Sequence, residues 1–335
     1  PNMIKIEELK REISPWNDLK AFVRICLLIL KLNPHILHTH MSKAGSLGRL
    51  GGLLFKALGR DIKLVHTFHG HIFEGYFSEN KARLFLWVER FLGRRTDSLI
   101  AITRTQKQEL CQEYRIAPSQ RFRVIPLGFD LRRFLGLQKR TGEGVLIGIV
   151  GRLVPIKNHE LFLQAAKLII DERDDVKFWV VGDGERKGEL QELSRALGIE
   201  KRVLFKGWIR SMEEVYSEMD VLVMSSLNEG TPVTIIEAMA SNVAVVSTDV
   251  GGVRDILGER IQYIVDQRVS LCERGILCHS FSPEDLFLGI KFLLEMPIQK
   301  RDKMIHAAKE FVVEHYDRER LLDDIVVLYR ELLGG

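Results

Sequence analysis

Cysteine is scarce. Four thiols stand in 335 residues, at Cys26, Cys111, Cys272 and Cys278. They are too few and too irregularly spaced for a disulfide framework or a zinc site, and the usage predicts reduced thiols in a cytoplasmic protein. Long apolar runs are missing as well. The best candidate, residues 25–30, follows Arg24 and falls far short of the ~20 residues that cross a bilayer, so it reads as a buried helix. The sequence also lacks a GxGxxG element and a P-loop, which argues against a dehydrogenase or an NTPase. Gly182-Asp183-Gly184 comes nearest and reads as a plain strand-end turn.

Net charge is small too, +4, but it is unevenly spread. Residues 1–140 hold 25 Lys+Arg against 12 Asp+Glu, a balance of +13, and the rest of the chain carries −9. A basic first half implies an anionic partner: a membrane surface, a lipid phosphate or a nucleic acid. Nucleic acid is the weakest of these, because the cations are scattered and not clustered around aromatics in a known motif.

Apolar β-rich runs alternate with helical patterns along both halves. In the second half, 145–150, 176–181, 203–205, 221–224 and 243–247 read as strands, with helices over 158–170, 186–197, 213–219 and 232–240. In the first half, 36–38, 62–67, 98–102 and 123–125 read as strands, and helices over 44–58, 81–93 and 104–113 lie between them. Short, fully apolar strands in alternation with helices mean parallel sheets covered on both faces. The polar, glycine-bearing segment 138–144 marks a boundary where the charge balance flips. Two domains are therefore expected, 1–140 and 141–315, with a cleft between them, and ligands bind open α/β sheets at the carboxyl ends of strands. A last helix with an apolar stripe (Leu321, Leu322, Ile325, Val326, Leu328, Tyr329) occupies 316–335 and is expected to pack back towards the first domain.

The strongest local signal is NEGTPVTIIEAMA, residues 228–240, after an apolar strand. Thr231 suits an N-cap and Pro232 the first helical position. Such a helix start favours an anion. Glu229 and Glu237 can both face the strand-end crevice and accept hydrogen bonds from sugar or ribose hydroxyls. Capping by Glu229 with a surface Glu237 is the competing reading. Gly151-Arg152-Leu153 and Lys157 follow another strand, so that an Arg and a Lys five residues apart can converge on a diphosphate. Two solvated loop cations are the bland alternative.

Five histidines cluster in the first half: His38, His40, His66, His69 and His71. One functional imidazole beside a sugar ring, with the others structural, fits better than a zinc site. The stretch 81–95 (KARLFLWVERFLGRR) is aromatic and basic, with five Lys/Arg against one Glu. Leu84, Phe85, Val88, Phe91 and Leu92 share a face, which either packs in a core or lies on an anionic membrane.

Taken together, HTHMSKAG (38–45), VHTFHGH (65–71), VIPLGFD (124–130), GRLVPIKN (151–158), VVGDGE (180–185) and the 228–240 segment resemble the family-4 retaining glycosyltransferases of the GT-B fold, over nearly the whole chain. The E-x7-E pattern appears as Glu229 and Glu237. The resemblance implies two Rossmann-like domains, an acceptor-side one first and a nucleotide-sugar-binding one second. It gives Glu229 the transferred sugar, Glu237 the ribose, Arg152 and Lys157 the pyrophosphate, and Gly230, Thr231 and Pro232 the loop that closes on them. It places His69 near the donor sugar, Trp208 and Ile209 at the base, and Lys43 and Gly45 where the first domain approaches donor or acceptor. The implied reaction uses a nucleotide sugar, expected to be a UDP-sugar, as sole donor co-substrate, needs no metal or other cofactor, and serves a lipid-linked or polysaccharide acceptor at the inner face of a membrane. A non-catalytic nucleotide-sugar binder and a GT-B sugar-nucleotide epimerase are the alternatives. Three departures stand out. The family's first strand with its glycine-rich loop has no counterpart, so an N-terminal βαβ portion is expected to be missing. The stretch 259–279 is longer and less glycine-rich than usual, and TPVTII replaces a Gly-Phe-Gly type of loop.

Overall fold

The computed structural model describes residues 3–10, 12, 14–69, 79–139 and 144–334. His71 and most of the 138–144 segment lie outside the described residues. The chain divides into two α/β units, residues 1–127 with 321–335, and residues 128–320. The division falls ahead of the expected 138–144 boundary because Leu131 and Phe134 are already buried in the core of the second unit.

The first unit runs α1 (Pro15–Leu32), β1 (Ile36–His40), α2 (Ser42–Ala57), β2 (Lys63–Phe68), α3 (Glu79–Gly93), β3 (Ser98–Ala101), α4 (Arg104–Gln108) and β4 (Phe122–Val124). The four strands are parallel, in the order β1-β2-β3-β4. Alternation along a strand sends successive side chains to opposite faces. Leu99 and Ala101 pack on one face with Leu110 and Ile116. Ile100 packs on the other with Val65, Ile125 and Leu328. Leu328 comes from a helix at the far end of the chain, introduced below, which therefore covers this face.

Two readings of helices in this unit need correction. Residues 25–30 do form part of a helix, α1, but it is not a buried one: Leu27 and Leu30 are exposed and only Ile29 of this run is fully buried. In α3 the exposed side carries Leu84, Trp87 and Phe91, whereas Leu92 is buried, so the expected single apolar face is split. What locks α3 to α2 is a charge pair. Arg49 (0 % exposed) donates through Nη2 to both oxygens of Glu89 (3 % exposed) at 2.8 Å, and through Nε to the Gly45 carbonyl at 3.1 Å.

The second unit runs β5 (Val145–Val150), α5 (His159–Glu172), β6 (Val176–Val181), α6 (Lys187–Ala196), β7 (Val203–Gly207), α7 (Met212–Glu218), β8 (Val221–Met224), α8 (Val233–Ala240), β9 (Ala244–Thr248), α9 (Val253–Leu257), β10 (Arg260–Val265), β11 (Val269–Cys272), β12 (Gly275–Cys278), α10 (Pro283–Glu295) and α11 (Ile298–Tyr316); α12 (Arg318–Leu333) then leads into the first unit. Six parallel strands lie in the order β7-β6-β5-β8-β9-β12, the doubly wound order, and β11 and β10 extend the β12 edge antiparallel. The atypical 259–279 stretch is thus a hairpin and one parallel strand, a detail its periodicity did not announce. Val221 and Val223 pack on one face of the sheet, Leu222 and Met224 on the other.

Removing one partner of a buried ion pair leaves an uncompensated charge, which costs about 3–5 kcal/mol. Glu89→Gln is expected to lower unfolding free energy by that amount in denaturant titrations. A loss under ~1 kcal/mol would show that the pair does not hold α3.

Candidate functional site

In a doubly wound sheet the connections leave in opposite directions at one point, and a crevice opens outside the strand ends there. Here that point is the β5/β8 pair. The loop after β5 holds Arg152 and Lys157, and the loop after β8 holds 227–232. The backbone joins them: Leu227 N–H donates to the Ile156 carbonyl at 2.8 Å, and Ser225 Oγ donates to the carbonyls of Lys157 and Asn158. Side chains join them too. Lys157 Nζ bonds Glu229 Oε1, and Ser226 Oγ donates to the same oxygen at 2.6 Å. Both bonds fall on Oε1, so Oε2 presents its lone pairs elsewhere.

Glycines set how closely the loops approach. Gly251, after β9, has φ +49°, and a Cβ there would lie 1.7 Å from the Glu229 carbonyl oxygen. Gly252 N–H donates to the Gly230 carbonyl at 3.1 Å. Gly182, φ +136°, is seated in the same way against Gly151, with 1.9 Å from its Cβ position to that carbonyl oxygen. The Gly182-Asp183-Gly184 turn is therefore a backbone brace for the Arg152 loop, with Leu153 N–H donating to Asp183 O at 3.0 Å.

The start of α8 differs from expectation by one residue. Pro232 is the N-cap (φ −75°, ψ 100°) and the helix begins at Val233. Proline's ring carries no side-chain acceptor, so no side chain caps this end, and Thr231 does not do so either. Instead Thr231 Oγ1 is buried without a hydrogen-bond partner. A buried hydroxyl left unsatisfied is costly, and at a helix start it is disposed to meet a ligand oxygen.

Glu237 sits in α8 with other partners. The buried Tyr216 hydroxyl donates to its Oε2 at 3.2 Å, and Arg133 Nη2 lies 3.9 Å from Oε1 while its Nε reaches Glu213 at 3.3 Å. Burial raises the Glu237 carboxyl above its ordinary range, with Tyr216 and Arg133 opposing. Arg152 is exposed and has no side-chain partner among the described residues. Trp208 is 73 % exposed just beyond β7, while Ile209 packs on the core. The structure thus joins Lys157 to Glu229 directly, gives Glu237 its own setting, and leaves Arg152 and Trp208 projecting. Ser226, Tyr216, Arg133 and Gly251 were not singled out in the sequence; only the paired glycines after β9 offered a local sign.

In the first unit the histidines form a file. His38 Nδ1 is 2.7 Å from the Tyr329 hydroxyl and Nε2 is 2.7 Å from Thr67 Oγ1. Its ring stacks on His40 at 4.4 Å, and His40 Nδ1 is 2.8 Å from His69 Nε2. Burial, and then the neighbouring imidazoles His40 and His69, lower His38 to about 4. Burial lowers His40 and His69 as well. His66 is buried on Thr39, and Gly45 is glycine because a Cβ would sit 2.4 Å from that ring. Lys43 is tied within the unit to the carbonyls of Lys10 and Glu12 and to Asp18. Gly45 and Lys43 are thereby explained by internal packing. Among the described residues no three His, Cys, Asp or Glu are grouped to hold a metal ion, and no helix is long and apolar enough to cross a membrane.

Comparison with known proteins places the chain in a family and a fold. Residues 138–311 match the model for "Glycosyl transferases group 1", and residues 7–133 match "Glycosyltransferase Family 4". The UDP-Gal:alpha-D-GlcNAc-diphosphoundecaprenol alpha-1,3-galactosyltransferase of Escherichia coli is 32% identical over 74% of this chain and 66% of its own length. A D-inositol 3-phosphate glycosyltransferase of Geodermatophilus obscurus is 27% identical over 88% of this chain and 66% of its own. The chain thus spans about two thirds of the length of these relatives. The crystal structure of Anabaena Alr3699/HepE in complex with UDP has the same fold, with TM-score 0.79 and 18% identity over 93% of this chain and 82% of that one.

The histidine file sets a pH dependence. His38 titrates lower in the fold than the ~6.5 of a free imidazole. Its contribution to stability is therefore complete above that value and is lost as pH falls towards about 4. Thermal unfolding followed across this range should show the wild-type melting temperature falling on acidification and His38→Asn falling less steeply. Parallel curves would mean that His38 takes up its proton equally well folded and unfolded.

Proposed function

The chain belongs to the group 1 glycosyl transferases, and on that premise we propose that its second unit binds a UDP-sugar at the β5/β8 switch point and that the protein transfers the hexose or N-acetylhexosamine, with retention, to a lipid-linked or polysaccharide acceptor. The observation that carries this reading is the Lys157–Glu229 pair across the two switch-point loops. One loop supplies cations for a diphosphate and the other a carboxylate for hydroxyls, and the pair fixes the two within one hydrogen bond.

The roles follow from charge. When the bond from C1 to the β-phosphate oxygen breaks, negative charge grows on the diphosphate. Arg152, exposed and without a side-chain partner among the described residues, supplies a fork of donors, and Lys157 a shared point charge. Thr231 Oγ1 and the first amides of α8 add neutral donors. Glu229, anchored through Oε1, offers Oε2 to sugar hydroxyls and opposes the positive charge that builds on the ring. Glu237 is assigned to the ribose, with Tyr216 and Arg133 fixing its carboxyl, and Trp208 with Ile209 to the base. The acceptor hydroxyl attacks C1 from the face the diphosphate leaves; its proton passes to a phosphate oxygen, the new glycosidic bond forms, and UDP departs. For the first unit, His69 is assigned a neutral hydrogen-bonding role towards sugar hydroxyls, consistent with its lowered proton affinity.

The nature of the acceptor draws on two supports. The E. coli relative acts, by its name, on a GlcNAc-diphosphoundecaprenol. The exposed side of α3 also suits an anionic lipid surface: Leu84, Trp87 and Phe91 are exposed, and Arg94 and Arg95 follow, with the Arg95 guanidinium 4.0 Å above the Phe91 ring.

Arg152→Ala, Lys157→Ala and Glu229→Gln are each expected to lower kcat/KM for UDP release from a UDP-sugar, with acceptor present, by about 100-fold or more. Arg152→Ala is the cleanest of the three because this exposed side chain has no hydrogen-bond or ion-pair partner among the described residues, and its melting temperature should match wild type. Undiminished turnover in all three would remove the assignment. In flotation with vesicles containing anionic lipid, Trp87→Ser with Phe91→Ser should reduce the bound fraction and leave UDP affinity unchanged; equal binding would clear α3 of any membrane role.

A further inference from the structure

Asp249, the residue after β9, heads a line of hydrogen bonds that the roles above do not use. Arg254 Nε donates to Oδ1 at 2.5 Å, and Nη2 of the same guanidinium bonds Oδ2. Oδ2 also lies 2.7 Å from His279 Nδ1, and His279 Nε2 lies 2.7 Å from Ser270 Oγ. With the carboxylate accepting, Nδ1 of the imidazole carries a hydrogen, and Nε2 pairs with the serine hydroxyl. Burial alone would raise the Asp249 carboxyl, but the Arg254 and His279 hydrogen bonds outweigh it and hold the group below its ordinary range.

Serine, imidazole and carboxylate in this order also occur in hydrolases. A nucleophile must meet its substrate, however, and Ser270 is 0 % exposed within β11. The line therefore transmits position. One end is anchored in β11, part of the antiparallel edge added to the parallel sheet, and His279 N–H fixes the imidazole's own backbone on the Arg268 carbonyl at 2.8 Å. The other end is the 249–252 turn, whose Asp249 N–H is held by the Cys278 carbonyl at 2.9 Å. That turn is seated on the Glu229–Gly230 backbone through Gly251 and Gly252.

We infer that Asp249 and His279 are positioning residues that brace the 249–252 turn and, through it, set the place of the Glu229–Thr231 loop. The link to catalysis rests on reading that loop as the UDP-sugar site; the brace itself does not. A loop displaced by even 1 Å loses much of its complementarity to a ligand, so the effect should appear in donor affinity before it appears in global stability.

The test uses the full chain with Asp249→Asn, His279→Gln and His279→Asn. Asparagine places its amide near Nδ1 and keeps a donor for Asp249, whereas glutamine places its amide near Nε2 and loses it. Hydrogen exchange of the 226–236 segment reads the brace, UDP calorimetry reads the site, and KM against kcat separates positioning from chemistry. Asp249→Asn and His279→Gln should speed exchange in 226–236 and weaken UDP binding roughly ten-fold, with KM for the UDP-sugar rising more than kcat falls. His279→Asn should stay close to wild type. Exchange unchanged in Asp249→Asn and His279→Gln overturns the brace. Faster exchange in a protein whose wild type fails to bind UDP upholds the brace and discards the donor-site reading.

Discussion

The second unit depends on how closely three loop backbones approach one another at the ends of β5, β8 and β9. No side chain can occupy the space between Gly251 and the Glu229 carbonyl, or between Gly182 and that of Gly151. Those two contacts fix the levels of the loops, and the levels decide which side chains can meet. Lys157 reaches Glu229 because both loops are pinned from outside. Ser226 donates to the same carboxylate oxygen that Lys157 bonds, so both contacts fall on Oε1. Hydrophobic packing below the sheet supplies the stability, but it does not select this geometry; the strand-end turns do.

The first unit solves a different problem, the burial of polar groups in and around a small parallel sheet. Arg49 and Glu89 neutralise each other, with Nη2 of the guanidinium donating to both carboxylate oxygens. The histidines avoid the cost of buried charge by remaining neutral. Each imidazole in the file from His38 to His69 has a ring or hydroxyl neighbour, and Tyr329 of α12 closes one end. The last helix of the chain thus supplies apolar cover through Leu328 and also orients a histidine at the carboxyl end of β1.

Much of this was legible in the linear pattern. Apolar runs of five or six residues separated by helical periods specify a parallel α/β sheet, and the strands over 145–150, 176–181 and 221–224 lie where their composition puts them. Glu229, Lys157 and Arg152 could be singled out as candidates because they stand in the loops after β5 and β8, and the structure brings Lys157 and Glu229 together. Thr231 and Pro232 were displaced by one position: propensity favours threonine as a cap and proline as the next residue, yet the loop's tertiary seating makes proline the boundary and leaves the threonine hydroxyl unsatisfied. In α3, periodicity could not say which of two overlapping stripes faced the sheet, because Leu84, Phe91 and Leu92 are equally apolar; neighbouring helices decided it.

By itself the sequence determined the two α/β units, their main strands, and the charged and glycine residues in the loops at the strand ends. These are local matters, governed by periodicity, chain reversal and residue type. Only the tertiary structure decided which groups are partners: Tyr216 and Arg133 with Glu237, Asp249 with His279 and Ser270, and Tyr329 with His38. Such pairings join residues separated by up to 291 positions. Hydrogen bonds depend on ångström-scale distance and direction, and those are set by how elements pack, which no linear spacing encodes.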